Sequence, residues 1–97
     1  MLFNMMKTYS YYVITESQVT LDFDDIFEYV KSTLDEDCTI LDLYESFEDD
    51  IDDVILNTTN CFDFESCKND YITDKIIADF EIYLENRFGI NWKNEKL

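Results

Sequence analysis

Residues 45–53 read ESFEDDIDD, and this stretch carries the strongest pattern in the chain. Six of its nine side chains are carboxylates, and its two large apolar residues stand four positions apart. Apolar residues continue on both sides at steps of three and four, the period of a helix with one face against a core. The pattern predicts one acidic amphipathic helix at about residues 39–56, with its apolar face formed by Ile40, Leu43, Tyr44, Phe47, Ile51, Val54 and Ile55.

Carboxylates gather on the side of this helix opposite the apolar face, with no lysine or arginine among them. We call this set the acidic row: Asp42, Glu45, Glu48, Asp49, Asp52 and Asp53. Like charges three or four positions apart oppose a helix by roughly 0.2–0.5 kcal/mol per pair, so the acidic row costs stability. A pattern with this cost indicates that something other than folding requires the charge.

Composition separates this chain from acidic disordered proteins. Its 97 residues carry a formal net charge of −16, yet 46% are apolar, including eight Phe, seven Tyr and one Trp. Such an aromatic content is typical of a domain with a real core. We therefore expect a single domain over residues 1–97, with frayed ends at 1–6 and 93–97. With no leader pattern and no run of about 20 apolar residues, we expect a cytoplasmic protein.

The negative charge is concentrated in one part of the chain. Residues 22–65 contain sixteen acids and a single base, Lys31, whereas the remainder has seven acids and six bases. Such a field attracts cationic surfaces and repels nucleic acids and anionic membranes, so we expect a basic protein as partner and no direct contact with nucleic acid or membrane. The candidate partner-binding residues are the acidic row and the acids of the preceding helix and turn: Asp24, Asp25, Glu28, Asp35, Glu36 and Asp37.

The flanking sequence predicts an α+β fold, in which a small antiparallel sheet packs against three helices; an all-helical domain is the alternative. Alternating tyrosines and β-branched residues predict a strand at 8–15, and shorter strands are expected at 61–65 and 90–92. Polar residues predict connections at 16–20 and 57–60. The expected order along the chain is therefore strand, two helices, strand, helix and strand.

Helix boundaries follow from capping residues. Thr20 or Asp22 is expected to cap the first helix, which leads through a short acidic turn into the central helix. Asp70 or Thr73 is expected to cap the third helix. Gly89, the only glycine, stands where a left-handed C-terminal cap would end that helix.

Patterns for catalysis and metal binding are missing from the sequence. It has no histidine, no glycine-rich phosphate loop and no nucleophile motif. An EF-hand loop beginning at Asp35 or Asp42 would lack both the glycine at its sixth position and the glutamate at its twelfth. Cys38, Cys61 and Cys67 show no framework spacing and are expected to stay reduced. We therefore expect a protein that is not an enzyme and that needs no cofactor.

Carboxylates three or four residues apart on a helix lie about 5–6 Å from each other, close to the spacing of successive phosphates. A resemblance to a known class of proteins rests on the helical acids Asp42, Glu45, Asp49 and Asp53. The chain length, the charge density and a bias towards Asn, Lys, Ile and Tyr add to it. The chain resembles the small, very acidic proteins of phages and mobile elements that mimic DNA, among them anti-restriction proteins, uracil-DNA glycosylase inhibitors and anti-CRISPR proteins.

This resemblance implies a non-enzymatic inhibitor that binds the basic nucleic-acid channel of a host defence nuclease in the bacterial cytoplasm, with a CRISPR effector as first candidate. Inhibition of a restriction enzyme or a DNA glycosylase is a variant of the same hypothesis. An immunity or antitoxin protein that neutralises a basic toxin would use the same electrostatics on a different partner. A soluble interaction module is the third hypothesis. The sequence leaves open whether the protein is a monomer or a homodimer.

Overall fold

A computed structural model describes residues 8–12, 18–59 and 64–97 of the chain. In chain order the elements are β1 (Thr8–Tyr12), β2 (Gln18–Asp22), α1 (Phe23–Ser32), α2 (Ile40–Asp49), α3 (Ile51–Thr58), α4 (Phe64–Cys67), α5 (Asp70–Phe88) and a 3₁₀ helix (Trp92–Asn94). The two strands form one antiparallel sheet. The expected α+β class is confirmed, although the described part has five α-helices where three were expected.

The sheet shows the two-residue alternation of a half-buried hairpin. Tyr11 pairs with Val19 across the strands, and both side chains are buried together with Leu21. On the opposite face Ser10 and Thr20 are also paired, and their hydroxyl oxygens lie 3.2 Å apart. One face of the sheet therefore belongs to the core and the other is polar.

The expected polar connection at 16–20 is wrong where the structure describes it, because residues 18–20 lie in β2. Val19 and Leu21 alternate with polar neighbours, and this short period-two segment forms a strand because β1 pairs with it. The first strand was expected to reach residue 15; β1 accounts for residues 8–12, and 13–17 lie outside the described residues.

Side-chain caps begin the first two long helices. The Asp22 carboxylate accepts hydrogen bonds from the backbone N–H groups of Asp24 and Asp25, at 2.9 and 3.3 Å, which confirms one of the two expected caps. At α2, Thr39 and Asp42 form a capping box, in which each side chain accepts from the other residue's N–H. Such boxes satisfy two N–H groups that the helix leaves unpaired.

The central helix is divided at Asp50, so the single continuous helix expected there is wrong. The Asp50 N–H still donates to Ser46, and its carbonyl accepts from Val54, so this residue ends α2 and begins α3. Aspartate is a poor helix former, and unbroken helix would add repulsion between acids four apart. The division also places Asp52 and Asp53 in a new first turn, where the helix dipole favours negative charge.

The last helix has different caps from those expected. Asn69, and neither Asp70 nor Thr73, caps α5 by accepting a hydrogen bond from the Ile72 N–H at 2.8 Å. At the other end Gly89 has φ of +97°, which confirms the expected glycine cap in a conformation that other residues adopt with strain.

The other two short strands are also corrected. In the segment expected to be a strand at 61–65, residues 64 and 65 lie in α4, while 61–63 are outside the described residues. The strand expected at 90–92 is replaced by a turn that leads into the 3₁₀ helix. The expected break at 57–60 begins later, because α3 continues through Thr58, with residue 60 outside the described part.

Residues 93–97, expected to fray, are hydrogen-bonded to the start of α2. The Ile40 N–H donates to the Glu95 carbonyl at 2.9 Å, and the Leu97 N–H donates to the Cys38 carbonyl at 3.1 Å. Trp92 is buried and meets the Tyr44 ring edge-on, with centroids 5.6 Å apart. The C-terminal segment therefore holds α2 in place. The other expected frayed end, 1–6, lies outside the described residues.

One aromatic cluster fixes the long helices to each other. The fully buried Phe80 of α5 has its ring centroid 4.7 Å from that of Phe47 in α2 and 5.3 Å from that of Phe23 in α1. Tyr83 adds a parallel ring at 5.7 Å. Because these rings interlock in the core, the outer faces of α1, α2 and α5 are held in fixed relative positions.

Candidate interaction surface

The α2 part of the acidic row is open to solvent. Glu45, Glu48 and Asp49 are exposed, and their carboxylates make no ion pair and accept no side-chain hydrogen bond within the described residues. Asp42 is exposed too, but one of its oxygens accepts the Thr39 N–H at 2.9 Å in the capping box. Three carboxylates on α2 are therefore available to a partner, and a fourth also serves the fold.

The two acids of the row that lie on α3 bind other side chains of this protein. Lys68, just beyond α4, donates to both carboxylate oxygens of Asp52 at 2.5 and 2.6 Å. Asp53 accepts a long hydrogen bond of 3.4 Å from the Tyr29 hydroxyl. The expectation of one continuous row from Asp42 to Asp53 is therefore wrong, because the helix divides at Asp50. As expected, no base lies within the row, but Lys68 from outside it pairs with one member.

The acids of α1 also differ in whether they have a partner within the protein. Arg87, the only arginine in the chain, has guanidinium nitrogens 3.5 Å from Asp24 and 3.9 Å from Glu28, and its Cζ atom lies 4.5 Å from the centre of the Phe27 ring. The buried Tyr83 also donates its hydroxyl hydrogen to Asp24. Asp24 is thus an internal anchor between α1 and α5. Asp25, by contrast, is exposed and has no such partner among the described residues.

The turn between α1 and α2 contributes three exposed carboxylates, those of Asp35, Glu36 and Asp37. Two of them border an open pocket of about 330 Å³, lined by Lys31, Leu34, Asp35, Glu36 and Leu97. The structure thus leaves seven of the twelve expected partner-binding residues exposed and without an internal partner in the described part. We call these the open acids: Asp25, Asp35, Glu36, Asp37, Glu45, Glu48 and Asp49.

Sequence reasoning missed the internal partners of the acidic residues. Lys68 and Arg87 lie 16 and 63 positions from the aspartates they pair with, so no local pattern could indicate them. One weak signal was present: Arg87 stands four positions after Tyr83, and its guanidinium donates to that hydroxyl at 2.7 Å.

A tyrosine marks the place where α2 approaches α5. Burial, followed by the charges of Glu81 and then Glu48, raises the pKa of Tyr44 above its ordinary value. Glu48 lies on α2 and Glu81 on the exposed side of α5, so both carboxylates stand near the same phenol. Carboxylates from α2 and from α5 therefore both act on this one side chain.

The chain was compared with known proteins in three ways. No family model, curated protein or solved structure matches it.

Within residues 8–12, 18–59 and 64–97, no helix has the length and apolar content needed to cross a membrane, and no three His, Cys, Asp or Glu side chains cluster as metal ligands would. Cys38 is a free, half-buried thiol; Cys61 lies outside this part of the chain. Function must therefore be inferred from the surface.

Two buried tyrosines predict how stability depends on alkaline pH. Burial, then hydrogen bonds to Asp79 and Asp24 respectively, raises the pKa of Tyr11 and of Tyr83 well above 10; the Arg87 charge only partly offsets this at Tyr83. A raised folded-state pKa contributes stability that is complete below the unfolded value near 10 and is lost above it. We expect the free energy of unfolding to fall by about 1.4 kcal/mol per pH unit for each tyrosine above pH 10.

Urea unfolding measured between pH 8 and pH 11.5, with phenolate absorbance recorded in parallel, checks this expectation. Tyr83→Phe removes one of the two groups and should reduce the slope by roughly half. An unchanged slope in the Tyr11→Phe/Tyr83→Phe double variant would show that other groups control alkaline unfolding.

Proposed function

We propose that this protein is a non-enzymatic inhibitor that occupies the basic nucleic-acid channel of a host defence nuclease, presenting carboxylates where DNA presents phosphates. A CRISPR effector is the preferred target, which makes the protein an anti-CRISPR of phage origin that acts in the bacterial cytoplasm. One observation carries this proposal: Glu45, Glu48 and Asp49 are exposed on α2 and have no ion-pair partner among the described residues, although other acids there do pair with Lys68 and Arg87.

The energetics favour a basic channel as the partner. Lysines and arginines placed to bind DNA gain free energy when condensed counterions are released, and a second polyanion can supply the same charge to that array. The open acids supply it from a rigid element. Because the Thr39 capping box and the Trp92 contact with Tyr44 hold α2 in place, little conformational entropy is lost when a partner binds there.

The row of carboxylates that would stand in for phosphates is shorter than the sequence indicated. Asp42 and Asp49 are seven positions apart, which corresponds to about 10 Å of helix axis, whereas the undivided row would have extended over roughly 17 Å. At about 3.4 Å of axis per phosphate on one strand, α2 matches about three phosphates. The remaining open acids, Asp25 on α1 and those of the acidic turn, would contact the partner outside this row.

The division at Asp50 favours a second candidate function, that of an immunity or antitoxin protein. Neutralising a basic toxin requires complementary charge but no regular spacing, so an interrupted row serves it equally well. Inhibition of a restriction enzyme or a DNA glycosylase would use the same surface as the first proposal. The identity of the bound partner separates these candidates.

Affinity capture from a bacterial lysate, followed by a DNA-binding assay, tests the proposal. We expect the immobilised protein to retain nucleic-acid enzymes at low salt and to release most of them at about 1 M NaCl, where charges are screened beyond about 3 Å. A CRISPR effector incubated with the protein should lose its binding to target DNA. Effectors and other DNA enzymes that keep full DNA binding would contradict the proposal, and a single captured toxin would favour the immunity function.

A further inference from the structure

The outer face of α5 carries apolar side chains that the core does not use. Tyr71 is 72% exposed and Ile82 is 53% exposed, and both lie within about 40° of Ala78 around the helix axis. We call these three residues the outer stripe, which extends over about 16 Å of helix. The inner face of the same helix is buried through Ile76 and Phe80, so α5 presents apolar residues on two opposite sides.

The two edges of the outer stripe differ in charge. On one edge Lys75 pairs with Asp79 at 3.3 Å, and Asp79 also accepts the Tyr11 hydroxyl at 2.8 Å, so these charges are partly satisfied. The other edge carries only carboxylates, those of Asp74, Glu81 and Glu85, all exposed. A partner that covers the stripe must therefore meet an acidic edge.

This acidic edge continues the negative surface of α2. The two helices meet where Phe47 of α2 packs against Phe80 of α5, with ring centroids 4.7 Å apart. Glu48 and Glu81 follow these two residues in the sequence, and the charges of both raise the pKa of the Tyr44 phenol. A basic surface that covers Glu48 would therefore reach the border of the outer stripe.

A second copy of this chain fits the stripe poorly. In an antiparallel two-fold pairing centred on Ala78, Glu81 of one copy would lie against Asp74 of the other, and the reverse contact would repeat the repulsion. Each copy also brings a net charge of −16. Like charges placed opposite each other suppress such an association, so the occupant should be a basic protein.

We propose that the outer stripe is an apolar docking surface for a partner whose own hydrophobic patch is flanked by lysine or arginine. The inference rests on the proposed function, because the partner's basic surface is the one that covers the open acids. Apolar contact with Tyr71 and Ile82 would supply affinity, and basic groups would pair with the acidic edge. An apolar helix face seated in a groove is a common mode of recognition.

Two synthetic peptides of equal charge test this docking surface. One is an amphipathic helix of lysine and leucine, and the other has serine in place of each leucine. Their dissociation constants for the protein are measured by titration calorimetry at one fixed low salt concentration. We expect the lysine–leucine peptide to bind roughly tenfold more tightly or better, because only this peptide can bury apolar surface.

Variants locate the contact. In Tyr71→Ser/Ile82→Ser we expect the advantage of the leucine peptide to shrink to about twofold or less. Leu56→Ser is the matched control, because Leu56 is 44% exposed on α3, and it should leave the advantage unchanged. Ile82→Ser alone provides a milder variant should the double one lose its fold by circular dichroism.

Each outcome decides between the two proposals. Equal binding of the two peptides, or an advantage that persists in the double variant, would overturn the docking surface while leaving the acidic surface intact. Failure of both peptides to bind at low salt would overturn the docking surface and the proposed function together.

Discussion

Replacing Phe80 with alanine is expected to lower the free energy of unfolding by about 3–5 kcal/mol, the usual cost of deleting a buried phenylalanine ring. Phe80 is 0% exposed, and its ring touches those of Phe23, Phe47 and Tyr83, which come from three different helices. The cavity would open at the point where α1, α2 and α5 meet. Because domains of this size are stable by only about 5–15 kcal/mol, a large part of the total would be lost.

Urea unfolding at neutral pH measures this change. Tyr71→Ala is the matched control, because it removes an aromatic ring from the exposed side of the same helix and should shift stability by no more than about 0.5 kcal/mol. A loss at Phe80 no larger than the loss at Tyr71 would mean that the aromatic cluster does not hold the helices together.

The sequence predicted best those elements whose pattern is local and repeated. Phe23, Ile26, Phe27 and Val30 recur at helical spacing, and all four are buried on α1. The five buried residues of α5, Ile72, Ile76, Phe80, Tyr83 and Leu84, likewise recur at helical spacing, and Gly89 marks the end of this helix. Apolar side chains at these steps can be buried together only on a helix, so little else about the fold had to be known.

Predictions failed where two weak local preferences competed. Val19 and Leu21 lie in β2, a strand of five residues that forms because β1 is hydrogen-bonded to it. Strands this short depend on such a partner strand. At Asp50 the apolar period favoured one helix, while aspartate propensity and charge repulsion favoured two. The outcome depended on tertiary packing, which the pattern does not contain.

The candidate surface was predictable in its charge but not in its availability. The sequence indicates where carboxylates lie, and seven of the twelve expected residues are indeed exposed without internal partners in the described part. It cannot indicate which acids the fold itself engages, because Lys68 and Arg87 reach theirs through tertiary contacts. Asp24 and Asp52 therefore belong to the framework, and substituting them would confuse loss of fold with loss of function.

Neutralising the open acids of α2 is expected to produce the largest functional effect. The variant Glu45→Gln/Glu48→Gln/Asp49→Asn keeps side-chain shape and removes three charges from one face. Arginines or lysines of the partner would be left buried without partners, and each such loss costs about 2 kcal/mol or more. The variant should be at least as stable as the parent protein, because the repulsion between Glu45 and Asp49 is removed.

The matched control removes three charges from other exposed positions, in Glu65→Gln/Asp70→Asn/Glu95→Gln. None of these carboxylates belongs to the open acids or makes an ion pair within the described residues. Both variants have the same net charge, so long-range attraction to a basic partner weakens equally in each. Any difference in affinity must therefore arise from the position of the charges.

The most direct measurement is the dissociation constant for the nuclease whose DNA binding the protein blocks, determined for both variants at one fixed salt concentration. We expect the α2 variant to bind at least about a hundredfold more weakly than the parent protein, and the control variant to lose less than about tenfold. Equal losses in the two variants would contradict the account, because total charge and not the open carboxylates of α2 would then determine binding.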